Sequence, residues 1–561
     1  MTATAEPFAP EEPDGRRGET ARGAVARGGG AAGGRAAGPP GEGAEGGRPA
    51  MSHREVLEAM SGLLLAMFVA ILSSTVVSTA LPRIIGDLGG SQSAYTWVVT
   101  STLLALTVTT PIWGKLSDLF DRKLLVQTGL VLYVGGSVLA GLSQSTSFLI
   151  ACRVVQGIGV GGLTALVQVI LSDLVSPRER GRYAGYLGAV FGVGTVAGPL
   201  IGGVVTDSLG WRWCFYIGVP FAVAAFAVLQ KTLHLPRRRR QARIDYAGAT
   251  LIAAGVSSLL IWVSLAGQQY DWVSWQSAVL VGAGVLLCLA AVLVMRRSSE
   301  PLIPLRLFSN RSVVLAVVAS VAVGIAMFGT TVFLSQYMQV ARGKSPTESG
   351  LLTIPMVTGL FLASTFIGRL VSKTGRYKRY LLIGATLLTA GLGLMGTLDE
   401  TTSLVELGAF MFVMGAGVGM LMQNLVLVVQ NTVRFEDIGA GSSLVAFFRS
   451  LGGAIGVSVL GALLAHHASA DIRSGLADAG IEATGSADQV PDVSTLPAPV
   501  AHIVEHAYGT GVGEIFLTAA PLGLVALAAV ALLREVPLGG KSGIDIARER
   551  ASTHDQQGAT S

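Results

Sequence analysis

From residue 60 onward the chain alternates between apolar runs of roughly 20 residues and short polar breaks, and about 20 apolar residues are what a helix needs to cross the hydrocarbon core of a bilayer. The pattern predicts fourteen spans, at about 60–81, 95–117, 124–143, 147–172, 183–206, 213–232, 246–266, 276–295, 312–337, 349–371, 380–398, 404–430, 440–466 and 510–534. The expected fold class is an all-α polytopic membrane protein. One break is unlike the others: residues 467–510 are rich in Ala, Asp, Ser and Pro and are predicted as a long outer loop.

Charge then sets the orientation. With the N-terminus inside, the inner breaks and the C-terminal tail carry 26 of the 40 Lys and Arg residues. The outer breaks carry five: Arg83, Arg212, Arg342, Lys344 and Arg473. This is the positive-inside distribution, and one missing span would scramble it. Both termini are therefore expected in the cytoplasm. The basic run Arg237–Arg240 becomes a cytoplasmic loop, which removes nucleic acid as a partner despite a net charge of +5.

Composition agrees. The 561 residues are 51% hydrophobic and 13% charged, where soluble domains hold about 25% charged residues. Cys152, Cys214 and Cys288 all fall in apolar runs, which excludes a disulfide scaffold and a thiolate zinc site. The first 50 residues hold 13 Gly and 12 Ala. Such a segment cannot bury enough apolar surface to offset ordering entropy and is expected to be disordered. It has no apolar core of a secretory signal. Met51 opens a more protein-like stretch and is an alternative start. Trp97, Trp262, Trp272 and Trp275 sit near predicted span ends, where indoles anchor at the membrane interface.

A weak repeat follows the second and tenth spans. Gly114-Lys-Leu-Ser-Asp118-Leu-Phe-Asp-Arg122-Lys123 aligns with Gly368-Arg-Leu-Val-Ser372-Lys-Thr-Gly-Arg376, sharing Gly, Leu and Arg at identical offsets. Repeated halves with a substrate site at their interface are a common plan of secondary transporters. The first copy resembles the signature loop of the major facilitator superfamily. Arg153-Val-Val-Gln156-Gly157-Ile-Gly159 is similar to that superfamily's fourth-helix motif, and Gly194-Thr-Val-Ala-Gly198-Pro199-Leu-Ile-Gly202-Gly203 to its antiporter motif. Thr75 to Pro82, Trp211-Arg212-Trp213 and Phe448-Arg449-Ser-Leu-Gly-Gly453 complete a pattern that resembles the fourteen-helix drug/proton antiporter family.

Composition and charge give a disordered segment 1–54 and a cytoplasmic tail 535–561, and the resemblance implies a six-helix bundle 55–232, a linker with two inserted helices 233–311 and a second six-helix bundle 312–534. It also implies alternating access by rocking of one bundle against the other.

In that architecture Gly114, Asp118, Arg122 and Lys123 form a conformational latch, with Asp118 facing the amino end of the thirteenth span. An anion there gains about 0.3–1 kcal/mol from the helix dipole. The same residues can also be read as topology determinants and a helix cap. Gly194, Gly198, Pro199 and Gly202 make a side-chain-free, proline-kinked face, suited to an interface that seals the cavity or to static packing. Arg153 is costly in the hydrocarbon core and must face protein or a watery cavity. Arg153, Gln156, Ser73, Ser74, Gln423, Asn424, Gln430 and Arg449 are the candidate coupling or cavity groups. Gln423-Asn424 and Gln430-Asn431, seven apart, predict one interior face.

One position departs from the family. Its members commonly carry an aspartate two residues before Thr75, where this chain has Ser73. The carboxylates nearest to a span interior are Asp207, Glu406 and Glu514, all near outer ends, and they become the possible proton sites. The loss also relaxes any requirement that substrates be cations.

Other patterns lack their required context. Gly157 to Gly162 matches a dinucleotide fingerprint but follows no strand, and no phosphate-binding loop for ATP occurs. His502-Ile-Val-Glu505-His506 matches an inverted zinc-protease motif without a catalytic domain, and reads as a solvated helix extension. Neither a cofactor nor a metal is expected, and the chain is not expected to be an enzyme. The expected function is proton-coupled export of amphipathic drugs or antibiotics from the bacterial inner membrane by a monomer in contact with membrane lipids. A lipid or lipid-like metabolite transporter of the same fold, and a non-transporting membrane scaffold or sensor, are the alternatives.

Overall fold

A computed structural model describes residues 53–89, 92–175, 177–233, 245–267, 269–298, 301–344, 346–479 and 497–538. The Gly/Ala/Arg-rich segment, Met51 and the run Arg237–Arg240 lie outside the described residues, as does the tail beyond residue 538. The side chains of Pro199 and Asp207 do so too.

The helices are α1 (His53–Asp87), α2 (Gln92–Leu119), α3 (Arg122–Gly141), α4 (Thr146–Leu174), α5 (Pro177–Ser208), α6 (Trp213–Tyr216), α7 (Gly218–Thr232), α8 (Tyr246–Leu265), α9 (Trp275–Arg297), α10 (Arg311–Gln336), α11 (Pro346–Leu352), α12 (Ile354–Thr374), α13 (Lys378–Met395), α14 (Leu404–Thr432), α15 (Ile438–Asp478) and α16 (Ala498–Ala531). Thirteen stretches among the described residues are long and apolar enough to cross a membrane. The fourteenth predicted span is α13, an 18-residue helix that opens on Lys378-Arg379. The predicted span at 213–232 is split into α6 and α7 at Ile217.

Local chemistry sets the boundaries. Asp121 accepts from the Lys123 amide to cap α3, and Ser145 caps α4. Ser403 and Glu406 form a reciprocal capping box on α14, which satisfies two of the amides that every helix start leaves free. Gly375 ends α12 at φ +67°, a conformation that disfavours residues with a Cβ.

Packing sorts these helices into two bundles. In the first, α4 packs on α2 and α3, and α1 packs on α5 and α7; in the second, α14 packs on α12 and α13, and α10 packs on α15 and α16. The α4 and α14 spans are 78% buried and central, whereas that of α9 is 17% buried. A helix apolar on every side and that exposed must face lipid. α9 is held by α8, which also touches α2 and α15 and so lies across the seam between the bundles.

Among the described residues, both ends of the outer loop predicted at 467–510 are helical; residues 480–496 lie outside the described residues. α15 runs on to Asp478 and α16 begins at Ala498. The reason is a hydrophobic stripe within a polar sequence: Ala468, Val504, Ala507 and Tyr508 are buried, and Gly475 lies under Ile503. His502–His506 is accordingly a helix extension. Glu400 pairs with His506 at 2.9 Å, and Glu514 pairs with His467 at 2.7 Å.

Close helix crossings depend on glycine. A Cβ on Gly415 of α14 would land on the Met356 carbonyl of α12, and one on Gly359 would meet the Phe412 carbonyl. Gly393 of α13 has nothing near it. Gly415→Leu is therefore expected to destabilise the protein by about 2–3 kcal/mol. Gly393→Ala should leave it unchanged or slightly stabilised; thermal unfolding in detergent measures both.

Candidate functional site

The two bundles meet where α2, α4, α12 and α14 end and α5 and α15 begin, the face of the basic loops. Asp118, one residue before the end of α2, reaches across to the start of α15. Its carboxylate accepts from the Gly439 amide at 3.2 Å and the Ala440 amide at 3.0 Å. These are first-turn amides with no partner inside their own helix, so the anion fills a vacancy that the helix creates. The approach leaves no room for side chains on either helix. A Cβ on Gly439 would strike Asp118 and Ser117, and one on Gly114 would fall within the Ser443 side chain.

Arg122 supports this contact. It is almost fully buried, lies 3.6 Å from Asp118, donates from Nε to the Ser117 carbonyl at 2.9 Å, and pairs with Asp173 at the end of α4. Lys123 points elsewhere: its ammonium donates to the Gln230 carbonyl near the end of α7 at 2.7 Å. A cation at a helix C-terminus favours the dipole there. Asp173 was missed in the sequence because, although apolar runs flag intramembrane acids, it sits at a span end beside a charged loop.

A second seam joins α5 to α12. Gly185, Gly188 and Gly192 face Thr365, Ser364 and Val357 so closely that a Cβ on Gly185 or Gly192 would collide and one on Gly188 would make a tight contact. These three glycines were missed in the sequence, although their spacing of three and four is the signal that could have found them. The predicted antiporter-motif glycines lie further along α5 and turn to α1: Gly194 receives Ile71, Gly198 receives Thr75, and Thr75 Oγ1 donates to the Gly194 carbonyl at 3.2 Å. The Gly202 carbonyl accepts from Thr206 at 2.6 Å. In this conformation the motif packs within its own bundle.

A third seam joins α4 to α14 by amides. Gln168 Nε2 donates to Gln423 Oε1 at 3.1 Å, and Gln430 Nε2 donates to the Gln168 carbonyl at 3.3 Å and to Ser442 at 2.8 Å. The other two amides do not share this face. Asn424 is buried and donates back to the Met420 carbonyl, whereas Asn431 reaches Val536 and Pro537 at the start of the tail.

Arg153 is buried between α2, α3 and α4. It donates to the Val98 carbonyl at 3.3 Å and to Gln156 Oε1 at 2.5 Å, and Gln156 in turn donates to Ser137 at 2.7 Å. Each partner is a neutral oxygen. Ser73, at the family's carboxylate position, is buried and donates to the Ala70 carbonyl at 3.2 Å. Ser74 and Arg449 are half-buried; the Arg449 backbone packs against Gly324. Glu406, in the first turn of α14, is spent on its capping box, and Glu514 pairs with His467 midway along α16; both are exposed.

The Gly114–Ser443 contact generates a test. Gly114→Ala should wedge the α2–α15 seam, at a cost of about 1–3 kcal/mol. Spin labels on Lys231→Cys and Thr374→Cys, exposed on opposite bundles, should then report a larger separation. Adding Ser443→Gly removes the obstructing side chain and should restore the shorter distance.

Comparison with known proteins agrees with this architecture. The model of the Major Facilitator Superfamily matches residues 63–457. An uncharacterised MFS-type transporter of Mycobacterium tuberculosis is 39% identical over 485 residues, which is 85% of this chain and 69% of that one. The multidrug transporter MdtP of Bacillus subtilis is 36% identical over 405 residues, 72% of this chain and 74% of its own. Multidrug resistance protein 3 of the same organism is 32% identical over 485 residues, covering 84% and 93%. The crystal structure of the human organic anion transporter MFSD10 (TETRAN) superposes with a TM-score of 0.55 at 13% identity, over 85% of this chain and 99% of that one, a likeness of fold. With two helical bundles joined across three seams and a family match over most of its length, the chain belongs to the Major Facilitator Superfamily and is one of its multi-pass membrane transporters.

Proposed function

We propose that this transporter is a proton-coupled exporter of amphipathic drugs or antibiotics that works by alternating access. The observation that carries the reading is the Asp118 carboxylate on the α15 amides. That contact joins two rigid bundles through one charge and one helix end, and it exists only while the basic-loop face is closed. Opening that face costs the charge–amide bonds, so Asp118 favours states open to the other side. The multidrug and efflux names of relatives support export of small molecules. The concentration of Lys and Arg in the inner loops supports a bacterial inner-membrane protein with both termini in the cytoplasm. A proton returning through the protein releases about 2.3 kcal/mol per 100 mV of membrane potential, which is enough to drive export.

The second reading, transport of a lipid or lipid-like metabolite, is favoured by Ser73. Among the described residues Arg153 is bonded to neutral oxygens, without a carboxylate to anchor a cationic drug.

Inverted membrane vesicles acidified by respiration test the proposal. Adding an amphiphile that the protein exports should release luminal protons. Asp118→Asn keeps the shape and loses the charge, and hydrogen bonds to a charged group are worth about 1.5–3 kcal/mol. Its release rate should fall roughly tenfold or more. Absence of release with both cationic and neutral amphiphiles would overturn antiport and favour the lipid reading.

A further inference from the structure

Directly before the latch amides lies a second carboxylate. Asp437 occupies the position preceding Ile438, the first residue of α15, and is buried, yet its side chain makes no cap bond to the helix. It is bound instead from outside the bundle. Arg306 donates from Nε to Asp437 Oδ2 at 3.1 Å and from Nη2 to Oδ1 at 2.9 Å, a two-pronged pair. Arg306 belongs to a short turn, Leu305–Ser309, between the inserted helices and the second bundle. That turn is itself anchored. Leu302, Ile303 and Leu307 are buried, Phe308 packs edge-on to Phe448, and Asn310 donates to the Thr432 carbonyl at the end of α14.

Two aspartates therefore converge on one helix end, and Asp437 lies within Coulombic reach of Asp118. Asp437 is buried and Asp118 is mostly shielded, so water does little to separate them. A carboxylate at the position just before a helix commonly bonds its free amides, so an unneutralised Asp437 would both repel Asp118 and compete for its amides. The planar guanidinium of Arg306 matches a carboxylate at both oxygens, which fixes Asp437 away from the helix as well as neutralising it.

Resting on the latch reading above, we propose that Arg306 is a positioning residue for the gate: by holding Asp437 it reserves the α15 amino end for Asp118, and thereby ties the linker of the inserted helices to closure of the basic-loop face.

The test uses the full chain in lipid nanodiscs, with Cys152, Cys214 and Cys288 replaced by Ala and spin labels at Lys231→Cys and Thr374→Cys. Arg306 is about half exposed but Asp437 is buried, so removing the arginine leaves a buried carboxylate without its partner. Arg306→Ala should therefore lower the ratio of closed to open populations about tenfold or more, since 1.4 kcal/mol is tenfold in an equilibrium. Arg306→Lys, a point charge without the fork, should fall between Ala and wild type. Arg306→Ala with Asp437→Asn removes the charge that needed holding and should return to within about twofold of wild type, as coupled neighbours do. If the double variant stays as open as Arg306→Ala, Arg306 only anchors the linker and the inference is wrong. Asp437→Asn alone should close at least as well as wild type, and a loss of closure there would also overturn it. Asp118→Asn separates the two levels. Failure of that variant to open the face removes the latch itself, whereas opening by Asp118→Asn but not by Arg306→Ala removes only the role of Arg306.

Discussion

A helix that starts at a protein surface leaves four amides without partners, and a transporter that must open and close can put that deficit to use. Here the deficit at the start of α15 is met by a carboxylate from the other bundle. The bond is strong because it is charge-assisted and shielded, and reversible because water can serve both groups once the seam parts. Much of the neighbouring chemistry follows from it. Arg122 and Asp173 keep Asp118 in place, and Gly114 and Gly439 remove the side chains that would hold the helices apart. Arg306 draws away the carboxylate that would compete.

The bilayer imposes the second constraint: polar groups at membrane depth must be satisfied within the protein. The Arg153–Gln156–Ser137 chain meets it by passing hydrogen bonds among α2, α3 and α4, and the Gln168–Gln423–Gln430 cluster meets it across the bundles. The first network stays inside one rigid body. The second spans a seam, so its amides must find other partners whenever that seam opens. Similar residue types thus play different mechanical parts according to which helices they join. The inserted pair shows the same economy: α9 gives its surface to lipid, α8 lies over the seam, and the linker after them grips the gate.

Helix number, span positions and the loop whose aspartate meets the start of α15 were legible in the chain, because bilayer thickness and a local motif are properties of neighbouring residues. The one long loop was misjudged for a related reason. Its ends are polar in composition but carry a buried stripe, Ala468 on one side and Val504, Ala507 and Tyr508 on the other, which matters only once α15 and α16 lie together. The direction in which each motif points was not legible. Gly194 and Gly198 turn to α1 whereas Gly185, Gly188 and Gly192 meet the other bundle, although all five lie on α5. The amide pairs of α14 split in the same way: Gln423 and Gln430 cross to α4, while Asn431 meets the tail.

The sequence by itself determined that this is a polytopic helical membrane protein, since hydrophobic length acts one segment at a time, and its local motifs carried the resemblance to a transporter family. Only the tertiary structure decided which polar groups meet. Asp118 and Gly439 are 321 residues apart, and Arg306 and Asp437 are 131 apart. No local pattern encodes such pairs; they exist because folding brings a helix end, two shielded carboxylates and a half-exposed linker arginine together, where the cost of leaving a shielded charge unmatched selects its partner.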